Sequence, residues 1–154
     1  MRLVREDEIR DRVSGAFGRQ RLRLVGLLSG ARIEHIGATA VAGILTKGDL
    51  DICVVVPREE FVAATDALGV AYYIHQPENW TKGFASYVGL PDDGIEIGIQ
   101  LVVAGSSEER TFIGWRERLR ADPDLRDRYD RLKREHEDAP MEAYRAAKER
   151  LILD

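Results

Sequence analysis

Two aspartates, Asp49 and Asp51, stand one residue apart in the stretch LTKGDLDIC, just before the apolar run Val54-Val55-Val56. In an extended strand residues i and i+2 share a face. Both carboxylates therefore point one way, while Leu50, Ile52, Val54 and Val56 point the other. Neighbouring carboxylates repel, and one of them is pushed toward protonation. A divalent cation relieves that repulsion. Mg²⁺, with Mn²⁺ as the alternate ion, favours hard oxygen ligands and typically takes one or two carboxylates together with water and substrate phosphates. The same pair also suits a plain solvated strand end, so its meaning depends on what lies around it.

Upstream, HIGATAV reads as strand, glycine, small residue, hydroxyl, then helix. Gly37 lets an anion approach the backbone closely. Gly37, Ala38 and Thr39 open a helix whose free amides and dipole favour a phosphate; alternatively, Thr39 simply caps that helix. Downstream, GIEIGIQLV alternates: Ile95, Ile97, Ile99 and Leu101 on one face, Glu96, Gly98 and Gln100 on the other. If that strand neighbours the Asp49–Asp51 strand, Glu96 is a third carboxylate, able to bind metal or act as general base. Lys47 is a flexible point charge for a phosphate. Trp80 and Lys82, in HQPENWTKGFASY, are candidates for stacking on a base and for meeting a phosphate or acceptor; alternatively, Trp80 is a half-exposed packing residue. His35 reads as a satisfied histidine at a strand end, with contact to a phosphate as the alternative. Cys53 sits in an apolar run and reads as a small hydrophobe, not a nucleophile.

These residues need a scaffold. Residues 5 to 29 carry apolar positions at three- and four-residue steps and read as helix, with Gly15 and Gly18 as a potential break into two. Residues 32 to 36 and 49 to 56 read as strands, and Glu59 to Leu68 as a helix. VAYYIHQ is a candidate strand. FASYVGL and IEIGIQLVV form a hairpin about the Pro91-Asp92-Asp93-Gly94 turn. From Ser106 the pattern turns helical: Phe112, Trp115 and Leu119, then a helix capped by Asp122-Pro123 with Leu125, Tyr129, Leu132 and His136, then one opened by Pro140. The order is helices at 1 to 30, a mixed sheet at 31 to 105 and helices at 106 to 154. This is an α+β layout in a single domain.

Composition bounds the function. A chain of 154 residues with 44% hydrophobic residues suits one globular core. With 23 basic against 27 acidic residues the net charge is −4, which argues against a nucleic-acid backbone as partner. No apolar run approaches the ~20 residues needed to span a bilayer, and the charged N-terminus lacks a signal-peptide core. A cytoplasmic protein is expected.

The stretch IEHIGATAVAGILTKGDLDICVVV resembles the GrpB family, a branch of the nucleotidyltransferase superfamily. Gly37-Ala38 matches the glycine half of the superfamily pattern and Asp49-Leu50-Asp51-Ile52 the acidic half. EHIG, TAVAG and Lys47 carry the GrpB flavour, and QLVVAGS, FIGWRERLRADPDLRDRYDRLK and YRAAKERLI extend the likeness over about residues 30 to 152. The chain departs from the pattern at Ala38, where serine or glycine is usual, and at Gly98 and Gln100, where many members carry histidines. The resemblance implies a small mixed sheet with helices packed on it. It implies Asp49 and Asp51 holding Mg²⁺ on a nucleoside triphosphate, Gly37 to Thr39 cradling phosphates, and Glu96 nearby. The reaction implied is nucleotidyl transfer to an unidentified acceptor, with release of pyrophosphate. The competing reading is a non-catalytic nucleotide-binding or interaction module on the same fold.

Overall fold

The computed structural model of the chain describes residues 1–154. Its organising strand is Leu50–Val56 (β4), in which every residue except Asp51 is buried. β-Branched and apolar side chains on both faces suit a central position. Arg32–Ile36 (β2) pairs with it antiparallel, and Ile97–Val103 (β7) pairs with it in parallel. Phe84–Val88 (β6) and the short Tyr73–Ile74 (β5) complete a five-stranded sheet in the order β2-β4-β7-β6-β5. Beside it, Val4–Arg5 (β1) pairs with Leu45–Thr46 (β3).

The two faces of β4 meet different neighbours. Leu50, Ile52, Val54 and Val56, with Ile97, Ile99, Leu101 and Val103, pack under Val13, Ala16 and Leu24 of Glu6–Leu27 (α1) and Phe61, Ala64 and Leu68 of Phe61–Ala71 (α2). On the other face Cys53, Val55 and Val102 pack with Ile36 against Phe112 of Ser107–Ala121 (α3). That face is therefore apolar and covered at one end, and Asp51 marks where the cover stops. Pro123–Glu135 (α4) and Met141–Leu153 (α5) join α3 around Trp115, Leu119, Leu125, Tyr129, Tyr144 and Leu151, and this cluster packs on Val41 and Ile44. The helical tail is thus anchored to the loop that precedes Asp49.

Local signals act as read. Asp122 caps α4, its Oδ1 accepting from Leu125 N at 3.1 Å, with Pro123 following. The β6–β7 hairpin turns through Asp93 and Gly94, both at positive φ. Two expectations change. α1 runs unbroken through Gly15 and Gly18, because Val13, Ala16, Gln20 and Leu24 form a buried stripe that holds it against the sheet. The helix after Gly37 is only a three-residue 3₁₀ turn, Ala38–Ala40. A turn this short has few aligned peptides, so the dipole part of the phosphate argument is lost and only the local amides remain. No helix is long and apolar enough to cross a membrane.

Candidate active site

The Asp51 carboxylate lies between two glycines. Its strand neighbours across β4 are Ile36 on β2 and Gly98 on β7. A Cβ at Gly37 would fall 2.8 Å from Asp51 Oδ2, and one at Gly98 would fall 2.8 Å from Asp51 Oδ1. Gly37 also has φ of +78°, a left-handed conformation that favours glycine. The carboxylate thus occupies the space that two side chains would otherwise fill. Burial and the neighbouring Asp49 push the Asp51 carboxyl above its usual range, against the pull of Lys148 and Lys47 and a hydrogen bond from Gln100. A carboxylate held half-desolvated beside another is the arrangement a cation relieves.

Asp49 is fixed through its backbone. Thr39 Oγ1 donates to Asp49 O at 2.9 Å and stands 2.9 Å from His35 Nε2. With its own proton committed, Thr39 accepts from His35, so His35 carries its proton on Nε2. Burial, then Arg120 and Arg116, lower the His35 pKa to about 4, so the ring stays neutral. It stacks on Phe17 at 5.2 Å. Thr39 is 5% exposed, so its hydroxyl positions the aspartate loop and is not free for a phosphate, nor does it cap the turn. The phosphate-cradling expectation for Thr39 is corrected accordingly. Arg120 donates to Ala40 O at 2.8 Å and Arg116 to His35 O at 3.0 Å, so α3 grips the turn from outside. Glu6 accepts from Gly43 N at 2.9 Å on the other side of the loop.

Three cavities share Asp51 as a wall. The first, about 170 Å³, is lined by Gly37, Ala38, Lys47, Asp49 and, from α4 and α5, Tyr129, Lys133, Tyr144, Arg145 and Lys148. A second, about 200 Å³, lies toward α3, with Gln100, Phe112, Trp115 and Lys148. A third, about 310 Å³, opens toward β6, with His75, Tyr87, Glu96, Gln100 and Arg145. Two carboxylates therefore face cations carried by the C-terminal helices. Lys47 is 3.1 Å from Asp49 Oδ2. Lys148 lies 5.7 Å from the centre of the Tyr129 ring. Lys133, 2% exposed, donates to Leu45 O, lies 3.2 Å from Asp130 Oδ1 and sits 4.0 Å from the Tyr129 ring centre. Burial lowers its pKa to about 8.

The structure brings together Gly37, Ala38, Lys47, Asp49 and Asp51, and sets Glu96 on the adjoining strand side of the same region. Glu96 precedes β7 and its backbone accepts from Leu50 N, but its exposed side chain does not converge with the aspartates into a three-ligand cluster. As a metal ligand it is therefore corrected to a neighbour of the pair. Trp80 and Lys82 line none of the three cavities. Trp80 packs 5.2 Å from Tyr87, and its Nε1 donates to His75 O at 3.0 Å, while Lys82 is exposed. Lys133, Arg145 and Lys148 are additional site residues. Their signal was a lysine at the four-residue step after Leu125 and Tyr129, where an apolar residue belongs, and a second lysine one turn after Tyr144. For a cation, the donors fit an ion completed by substrate: two carboxylates, a desolvated one among them, with room for phosphate oxygens opposite. The unpartnered, buried Gln100 Oε1 adds a free acceptor nearby.

A mixed sheet with paired aspartates at the head of the central strand, a glycine turn at its edge and basic helices opposite defines a nucleotidyltransferase-like fold. The Cid1 poly(U) polymerase, in a structure with MgGTP bound, superposes at a TM-score of 0.59 and 13% identity, over 85% of this chain and 43% of that one. The chain belongs to the GrpB family, whose model matches residues 6–154. A conserved GrpB protein from Enterococcus faecalis superposes at a TM-score of 0.76 and 17% identity, over 98% of this chain and 94% of that one. A UPF0157 protein of Vibrio cholerae is 31% identical over 99% of this chain and 80% of its own length. Another, from Halalkalibacterium halodurans, is 29% identical over 90% of this chain and 73% of its own.

Proposed function

We propose that the protein is a Mg²⁺-dependent cytoplasmic nucleotidyltransferase that moves a nucleoside monophosphate from a triphosphate to an acceptor. One observation carries this reading: Asp49 and Asp51 face a cavity whose far wall is Lys133, Arg145 and Lys148. Carboxylates for a metal on one side and cations for phosphates on the other match the charge of a metal–triphosphate. The alternate ion is Mn²⁺. A bound metal would supply charge neutralisation on the phosphates.

The chain's own residues do the rest. Gly37 and Ala38 offer close backbone approach, and Lys47, Arg145 and Lys148 draw the phosphate chain against the aspartates. Thr39 and His35 hold Asp49 in place through its carbonyl. The acceptor oxygen or nitrogen bonds to the α-phosphorus, the α–β bridging bond breaks, and pyrophosphate leaves with that electron pair. Such transfer depends on positioning and electrostatics more than on covalent help from the protein. The solved Cid1 complexes contain MgGTP, Mg 3′-dATP and a UTP analogue, which supports a nucleotide in the corresponding fold.

The test is ligand-dependent stabilisation. ATP, GTP, CTP or UTP with Mg²⁺ should raise the melting temperature by mass action, and Asp49→Asn or Asp51→Asn should abolish the rise. Absence of a metal-dependent shift with every triphosphate refutes the proposal. A second reading, a nucleotide-binding module without catalysis, draws on the failure of Glu96 to converge with the aspartates. Labelled-nucleotide transfer to candidate acceptors separates the two.

A further inference from the structure

The cavity toward β6 differs in kind from the one under α5. The α5 side is walled by cations, whereas this one, about 310 Å³, combines Glu96, His75 and Gln100 with the flat wall of Tyr87. Three of its polar groups are uncommitted: the Glu96 carboxylate, the His75 ring and Gln100 Oε1. The Glu96 backbone carbonyl accepts from Leu50 N at 2.8 Å, which fixes the residue while leaving its exposed carboxylate in solvent. The His75 carbonyl accepts from Trp80 Nε1 and Ser86 Oγ at 3.0 and 2.7 Å, which holds that segment with the residue exposed. Gln100 Oε1 is buried with no partner. A buried acceptor of this kind calls for a donor. Apart from Arg145 and Lys47, which the phosphates engage from the neighbouring cavity, the unpartnered groups are the Glu96 carboxylate, the Gln100 Oε1 acceptor and the His75 ring, which both donates and accepts.

We propose that this cavity is the acceptor subsite and that its ligand is a small hydroxyl- or amine-bearing molecule without phosphate groups, with Glu96 setting that preference. The proposal rests on the nucleotidyltransferase reading in taking Asp51 as the wall shared by donor and acceptor. Ligands that present O–H or N–H⁺ groups satisfy Glu96 and Gln100, whereas an added phosphate meets Glu96, the carboxylate that neither the metal nor a lysine engages, and is repelled. A polynucleotide needs a continuous basic track and exposed stacking platforms; this cavity has two cations, Lys47 and Arg145, shared with the neighbouring one, and its aromatic ring, Tyr87, is buried. Its size falls at the small end of the range of about 300–1,000 Å³ seen for small-molecule pockets. In the transfer, the acceptor's proton passes to Glu96 or His75 and on to solvent as its oxygen or nitrogen bonds to the α-phosphorus.

The experiment is a charge series on one scaffold. Glucosamine, glucose, glucose-6-phosphate and hexauridylate are titrated into the full chain, with backbone amide resonances of Gly98 and Gln100 as readout. Mg·ATP binding is followed in parallel at Gly37 and Lys148. Glucosamine should bind at least about tenfold more tightly than glucose-6-phosphate, the scale of one partly desolvated charge pair, and Glu96→Gln should collapse that difference to less than about threefold. Tightest binding by hexauridylate or glucose-6-phosphate, or no perturbation by any sugar while Mg·ATP binds, overturns the proposal. Loss of Mg·ATP binding with the sugar series intact refutes the nucleotide reading and leaves the subsite standing.

Discussion

Gly98→Ala isolates the role of the Asp51 carboxylate. The added methyl would lie 2.8 Å from Asp51 Oδ1, where about 3.5 Å is a comfortable contact. Gly98 carries no positive-φ strain, so the backbone accepts alanine and the carboxylate is the atom group that moves. Turning Asp51 about 30° off its rotamer costs about 0.5–1.5 kcal/mol. Replacing glycine within a strand returns about 0.5–1 kcal/mol in chain entropy. The net change in folding stability is therefore within about 1 kcal/mol of zero. Ligand binding should respond far more, because a displacement of about 1 Å at a reacting centre can cost about a hundredfold in rate, and Mg·ATP affinity should drop by roughly tenfold or more. Urea denaturation measures the first quantity and calorimetry the second. Gly114→Ala, with nothing within 4 Å of its Cβ, serves as the control that leaves both binding and fold intact. A Gly98→Ala protein that binds Mg·ATP with unaltered affinity refutes the argument that this carboxylate is the ligand held by the glycine pair.

Lys148→Ala should weaken triphosphate binding by about tenfold, and Arg145→Ala by a similar factor, each representing one phosphate–cation contact; calorimetry with ATP and AMP should show the loss for the triphosphate and little for the monophosphate. Lys133 gives a pH signature. Its folded pKa of about 8 is depressed from 10.5, so the charged form is disfavoured in the fold, and stability should rise by up to about 3 kcal/mol between pH 8 and 10.5 relative to Lys133→Met, the stabilisation being lost again as pH falls through 8. His35, lowered from 6.5 to about 4, has the same sign in an acid window: the protein should lose up to about 3 kcal/mol relative to His35→Gln as pH falls from 6.5 to 4, read as the difference between two pH-dependent denaturation curves. A flat difference curve in either case would show that the group is solvated.

How far the sequence carried the fold depends on how local the determining physics is. The alternation of RIEHI and the apolar run after Asp51 gave β2 and β4 nearly to the residue, because burial on a pleated strand is written at period two. Asp122-Pro123 marked the start of α4 because capping is decided within one turn. The continuity of α1 was not legible, since two glycines weaken a helix locally and only tertiary packing along Val13, Ala16 and Leu24 restores it. The carboxylate half of the site was legible for the same reason as β4. On its cationic side only Lys47 was, because Lys133 and Lys148 come to line the same cavity as Asp51 only once the C-terminal helices have packed. Trp80, half-buried, takes the packing alternative: it lies against Tyr87 and donates to the His75 carbonyl, a choice no local pattern encodes.

The cost of the arrangement explains its wiring. A carboxylate lifted toward protonation at the edge of a buried strand destabilises the fold unless something compensates. Here compensation is distributed: Lys47 pairs with Asp49, the Gln100 amide beside Asp51 favours its charged form, and Lys148 contributes from α5 without closing a contact ion pair. Had Lys148 locked onto Asp51 directly, a substrate would have had to break a buried pair before binding, an expensive step. Instead the Asp130–Lys133 pair fastens α4 to both backbone groups of Leu45, so the cationic wall is held by the loop that carries Lys47 and not by the carboxylates it faces. The charges are thereby kept apart by structure of their own, and the space between them suits the metal–triphosphate proposed above, negative toward the helices and metal-bound toward the sheet.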